Sequence, residues 1–369
     1  MNTSVLESLP NYITYRRMTR IYPPILATFG ICGNVLSVLV LRRRAITSTG
    51  LLLIALAVTD TLVLSVCLLT KWGFSLKNEK FRHITEGVCK ADVFFTYLLI
   101  QLSPWILVLV TVERTYCVLK PHSVKEVFTR KRTSAALVTL IAILVAFNAH
   151  FLVGYEHVYY QEDLFECAAN SESYRNFMFN VWGWIDLSLA FALPLCVFVI
   201  GNIIIVFKLR SSRKFRSLSI YSNSSNTYVR RNRLSATDAV SQWTRTTFVL
   251  NVAFVLLVLP SVTFQIGQVY WYPEEEKTIE KYAELLLFSG IVHMLMYMNN
   301  AINFVLYIMF GSKFRSDLKM LVCCRKLTLR PRPASVWRTS SASTYVNSCS
   351  VASGDEQSDS VNCTTTTGL

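Results

Sequence analysis

The chain has 369 residues, of which 52% are hydrophobic and 16% charged, and it carries a net charge of +14. Its apolar runs are too long for a water-soluble domain, since a bilayer core ~30 Å thick takes roughly 20 apolar helical residues to cross. The positive charge reads as a topology signal that anionic lipid satisfies, which argues against nucleic acid as a partner.

Residues 1–20 are polar and hold Asn2 in an Asn-Thr-Ser sequon, a candidate glycosylation site. They predict an extracellular N-terminus with no cleavable signal peptide, because the first apolar run exceeds the ~7–15 residues of a signal core. Seven apolar runs follow, at about 21–41, 50–70, 91–112, 134–154, 178–207, 246–270 and 283–309. They predict an all-α fold, a seven-transmembrane helix bundle over 21–309. With the N-terminus outside, the cytoplasmic segments hold 25 of the 37 Lys and Arg and the external ones 11, Arg114 standing apart. That bias puts the C-terminus inside.

Only Cys89 and Cys167 then face the oxidising side. Two external cysteines permit one bridge, which pins the second outer loop to the top of span three. Within the spans, polar residues stand out. Asn34 follows Gly33 in span one, Asp60 sits in span two, Ser103 in span three, and Asn299, Asn300, Asn303 and Tyr307 in span seven. A carboxylate near mid-bilayer costs several kcal/mol unless paired or hydrated, so Asp60 faces the interior. The amides of Asn34, Asn299, Asn300 and Asn303 are its candidate partners. Two readings stay open: a polar network that glues helices, or a hydrated site that holds Na⁺ and switches the bundle. Glu113 and Arg114 close span three. Taken alone, that arginine reads equally as a snorkelling interfacial side chain.

The set Asn34, Asp60, Cys89, Glu113–Arg114, Cys167, Pro194, Phe254, Pro260, Asn303 and Tyr307, in this order, resembles the rhodopsin-like (class A) G-protein-coupled receptors. The resemblance covers about residues 20–324. It implies a receptor at the plasma membrane, not an enzyme, that binds an extracellular ligand and activates a heterotrimeric G protein. It also implies a switch. Glu113 neutralises Arg114 at rest, helix six swings out on activation, and Arg114 meets the G protein. Asn303 and Tyr307 belong to the same switch. The sequence departs from the family at Thr115, where Tyr is usual, at Phe304 for Pro, at Val258 for Trp and at Asn202 for Tyr. No acid stands at Val240, where a lock from helix six to the arginine is often found. The Asn-Phe-x-x-Tyr ending resembles invertebrate neuropeptide receptors of the FMRFamide and myosuppressin type.

By the same resemblance Thr96, Gln265 and His293 project into the ligand pocket. Asp186, eight residues before Pro194, is a functional candidate as an intramembrane acid. The second outer loop (156–175) has a net charge of −4 and the third (273–284) of −3. Such a face steers a cation inward. The ligand expected is a cationic, amidated neuropeptide, with a small molecule or chemosensory cue as the alternative. A seven-helix transporter is the rival class, but it would carry more intramembrane charge or inverted repeats. After span seven, Phe310, Phe314, Leu318 and Leu321 recur at helical spacing among basic residues. They predict an amphipathic interfacial helix over 310–324. Cys323 and Cys324 end it as candidate palmitoylation sites. Residues 211–235 and 325–369 are polar and Ser/Thr-rich, which predicts disorder. Phosphorylation of the tail by a receptor kinase would give arrestin a negative partner.

Overall fold

The computed structural model describes residues 3–43, 46–77, 85–121, 123–161, 164–219, 227–271 and 278–323. The first long helix, α1 (Pro10–Arg42), is followed by α2 (Ser48–Gly73), α3 (Glu86–Leu119) and α4 (Arg130–Gly154). Next come two antiparallel strands, β1 (Tyr155–Gln161) and β2 (Leu164–Ala169), with Tyr155 opposite Ala169. Then follow α5 (Glu172–Lys208), α6 (Thr227–Trp271), α7 (Ile279–Ala301), α8 (Asn303–Phe310) and α9 (Ser312–Val322). Among the described residues six helices are long and apolar enough to span a membrane, and the bent pair α7–α8, taken as one span, makes a seventh.

Local chemistry sets where these helices begin. Thr47, Thr85, Thr129, Ser171 and Thr278 stand at the N-caps of α2, α3, α4, α5 and α7. Each side-chain oxygen accepts a backbone N–H three residues on. That satisfies one orphan donor of each first turn. The bundle is not inside-out. Leu52, Leu56, Val110 and Ile106 are fully buried, whereas Ile25, Val138, Phe179 and Leu256 are exposed on faces that lipid would cover. Exposed apolar surface is the normal state of a helix solvated by acyl chains.

Four features depart from the sequence reading. Helix α1 starts at Pro10, within the stretch read as a polar terminus, and Thr3–Ser8 is helical too. Tyr15 and Met18 lie against Gly290 of α7, so these turns have a neighbour to pack on. A β-hairpin interrupts the all-α bundle, placed where the Cys89–Cys167 bridge anchors β2 to α3. Helix runs to Ser219 and resumes at Thr227, inside the segment predicted to be disordered. Its Lys, Arg and Leu are good helix formers, and a polar composition does not forbid helix. Asn2, Cys324 and the tail 325–369 lie outside the described residues.

The fourth departure is the seventh span. It bends by 53° at Ile302 although Phe304 stands where the family has a proline. The cause is a diverted carbonyl. Asn34 Nδ2 of α1 donates to the Asn300 backbone oxygen at 3.1 Å. Insertion of a side chain into the i→i−4 ladder is one of the few causes of a sharp kink. Ile302 N to Met298 O (3.1 Å) and Leu306 N to Ile302 O (3.1 Å) bridge the break. Close contact allows this: a Cβ on Gly30 would lie 2.8 Å from the Ala301 Cβ. Replacing Asn34 by leucine strands a buried carbonyl, a loss of ~1–3 kcal/mol. Asn34 Oδ1 is itself buried with no hydrogen-bond partner among the described residues, which puts the net loss at the low end. A lowered thermal midpoint of the purified protein in detergent is the expected result, and an unchanged one would refute this origin of the bend.

Beyond the bend, α8 and α9 are tied together. Arg315 Nη1 donates to the carbonyls of Ile308 (2.7 Å) and Met309 (2.9 Å). Phe314 is buried and its ring centroid lies 5.4 Å from that of Tyr307. Helix α9 is the amphipathic element predicted, with Phe314 inward and Lys319 in its last turn.

Candidate functional site

Three polar layers run through the bundle, from the disulfide end to the arginine end. The first is a cavity between α3, α5, α6 and α7. Asp186 and Gln265 line it, with Ser103, Phe254, Asn299 and Asn300. Its volume is about 70 Å³, so the space suits a few waters or one small terminal group.

Asp186 is held in place by a relay absent from the sequence reading. Gln101 Nε2 donates to Asp186 Oδ1 at 2.8 Å, and Asn148 Nδ2 donates to Gln101 Oε1 at 2.7 Å. Gln101 and Asn148 are fully buried. The neutral relay orients the acid without neutralising it. Local backbone geometry adds to this, because Ser188–Ala192 is a π-helical stretch just after Asp186. There Trp105 Nε1 donates to the Leu189 carbonyl at 2.8 Å, which gives a carbonyl in that widened turn a partner. Such stretches are frequent at functional sites.

Thr96 and His293 do not line this cavity. Thr96 is half-buried on α3. His293 Nδ1 lies 2.7 Å from Ser289 O on its own helix. Of the four residues read as ligand-binding, Asp186 and Gln265 come together.

The second layer surrounds Asp60, which is fully buried. Ser103 Oγ donates to its Oδ1 at 2.7 Å and Asn303 Nδ2 to its Oδ2 at 2.6 Å. These bonds join α2, α3 and α8. Asn34 serves Asn300 instead, while Asn299 and Asn300 face the cavity. The carboxylate of Asp60 and the hydroxyl of Ser103 are hard oxygen donors of the type that suits an alkali cation. Among the described residues no three His, Cys, Asp or Glu side chains gather as metal ligands. Tyr307 is buried near this layer, and its hydroxyl has no hydrogen-bond partner among the described residues.

The third layer is the Glu113–Arg114 pair. Arg114 Nη2 lies 3.1 Å from Glu113 Oε1, and both side chains are buried. Two hydroxyls from the first turn of α2 complete the cluster. Thr49 Oγ1 donates to Glu113 Oε1 at 3.0 Å, Ser48 Oγ donates to the same oxygen, and Arg114 donates to Thr49. Nothing in the sequence ties Ser48 and Thr49 to span three. They are helix-start residues by appearance, and only the fold brings them to Glu113.

Residues 33–307 match the family model described as 7 transmembrane receptor (rhodopsin family). The chain is also similar to the Galanin-like G-protein coupled receptor npr-9 of Caenorhabditis elegans. The two are 27% identical over 338 residues, which is 83% of this chain and 75% of that protein.

Proposed function

Because the chain belongs to the rhodopsin family of seven-transmembrane receptors, we propose that it is activated by an amidated, cationic peptide reaching Asp186. The observation that carries this reading is the Asp186 carboxylate, set at the cavity by Gln101 and Asn148. A primary amide donates two hydrogen bonds and bears no charge. A terminal amide therefore suits an acid in a small cavity, where a free terminal carboxylate would be repelled. The acidic loops support the same sign of ligand, though Glu162, Asp163, Glu274, Glu275 and Glu276 lie outside the residues whose side chains are described. The galanin-like relative supports a peptide ligand.

In this reading the disulfide end faces out at the plasma membrane, the orientation that the Lys and Arg distribution favours. The arginine end meets the G protein when α6 moves away. Cys323, exposed after α9, takes an acyl chain beside the bilayer. The Ser/Thr-rich tail takes phosphates from a receptor kinase and then recruits arrestin. Asp60 and Ser103 would hold Na⁺ by their oxygens, and the ion would supply charge compensation.

The test is a peptide-library screen on cells that express the receptor with a promiscuous G protein. The best agonist is then compared on wild type and Asp186→Asn, and in amide and free-acid forms. Loss of a buried charge partner costs ~2–5 kcal/mol, so potency should fall by at least roughly tenfold for each change. Indifference to both, or an anionic best agonist, refutes the reading.

A further inference from the structure

A second polar connection, one turn from Arg114, ties three helices together. Thr111 of α3 is fully buried, and its Oγ1 lies 3.2 Å from Asn251 Oδ1 of α6. Asn251 is also buried, and its Nδ2 donates to Asn202 Oδ1 of α5 at 3.1 Å. The threonine hydroxyl has one proton and also lies 2.8 Å from Leu107 O. When the proton goes to Leu107, both amides turn over and the chain of bonds runs the other way. Either way the three side chains remain linked. Gly201 brings α5 close enough, since a Cβ there would lie 2.8 Å from Thr111 Cγ2. Asn202 stands where the family has Tyr, and Val240 offers no acid for a lock from α6 to the arginine.

We infer that Thr111, Asn251 and Asn202 form a latch that holds α6 against α3 and α5 and keeps the receptor inactive. Asn251 is the central member, because it alone bonds to both other helices. Moving α6 outward breaks both of its side-chain bonds. In a buried site each broken bond leaves a polar group unsatisfied, so the latch resists small excursions and lets go as a unit. Asn202 and Asn251 are positioning residues: they act on Arg114 through the helices and do not touch it. The inference rests on the reading above that motion of α6 drives nucleotide exchange.

The experiment uses the full chain with an N-terminal epitope tag and a promiscuous Gα, and no ligand. The variants are Asn251→Leu, Asn202→Leu, their double, and Thr111→Val, which removes the hydroxyl while keeping the shape. Basal nucleotide exchange is measured per surface receptor. Fluorophores at Arg132 and Arg245, both exposed, report the distance between the arginine ends of α4 and α6. Each single variant should raise basal exchange by roughly three- to tenfold and lengthen the distance. The double should not exceed Asn251→Leu, since the residues act as one network. A purely structural role predicts fewer receptors and no rise per receptor, and that result, or an unchanged distance in Thr111→Val, overturns the latch. A lengthened distance without a rise in exchange supports the latch and instead refutes the reading that α6 motion drives signalling.

Discussion

Arg114→Ala is expected to abolish ligand-driven nucleotide exchange, counted per receptor at the surface, while those receptors still bind agonist. Among the described residues the arginine is the charged donor on Glu113, within a cluster otherwise made of Ser48 and Thr49 hydroxyls. In the structure it is neutralised there, and in the proposed reading it is the group that the G protein meets once it is released. Removing it takes away the contact and leaves a buried carboxylate uncompensated, at a cost of ~3–5 kcal/mol. The single variant therefore risks poor expression. The double Glu113→Gln/Arg114→Ala removes that risk, because no charge is left behind. It should express well and remain silent. Glu113→Gln alone should do the opposite and raise basal exchange, since the arginine loses its charge partner and keeps only Thr49. Exchange counted per surface receptor separates these outcomes. Normal signalling by the silent pair would show that this arginine is not the coupling residue.

The second large effect concerns the bridge from Cys89 to Cys167. It closes a separation of 78 residues, with Cα atoms 5.6 Å apart. A bridge of this kind stabilises by ~2–4 kcal/mol, chiefly by constraining the unfolded chain. Here the constraint also acts on a local structure. Among the described residues the hairpin β1–β2 has no third strand, and two-stranded hairpins are marginal on their own. What else holds it is an aromatic cluster at its root: Tyr155 lies near Phe151 and Tyr174. Cys89→Ala/Cys167→Ala, which leaves no odd thiol, should thus lower both surface amount and agonist potency, the latter by more than tenfold. Flow cytometry of the tagged receptor and a concentration–response curve measure the two. Full retention of both would show that the aromatic root suffices.

The architecture was legible because lipid solvation imposes a length on apolar runs and a sign on the segments between them. The Glu113–Arg114 pairing and the burial of the intramembrane acids were legible because charge is costly there. What escaped were the neutral partners. Gln101, Asn148, Asn251 and Ser48 are ordinary in any apolar or helix-start context, and only the fold shows whom they meet. Asn34 is the instructive case. Its type suggested a bond to Asp60, yet it serves a carbonyl on another helix, because an amide satisfies backbone and side chain equally well. The bend at Ile302 escaped for the same reason. Proline announces a kink in the sequence, whereas a diverted carbonyl does not. The early start of α1 was hidden because polar composition does not tell a helix with a packing neighbour from a free terminus.

That proline-free bend gives the seventh span a gearing. Phe304 keeps an N–H, which a proline would lack, so it competes with Asn34 Nδ2 for the Asn300 oxygen. The joint can anneal and reopen by trading one bond for another. Segment α8 is an arm of ~12 Å, from its eight residues at ~1.5 Å each. Turning it by about ten degrees sweeps its far end by roughly 2 Å. Arg315 welds α9 to that end, so the sweep is delivered whole to the amphipathic helix α9.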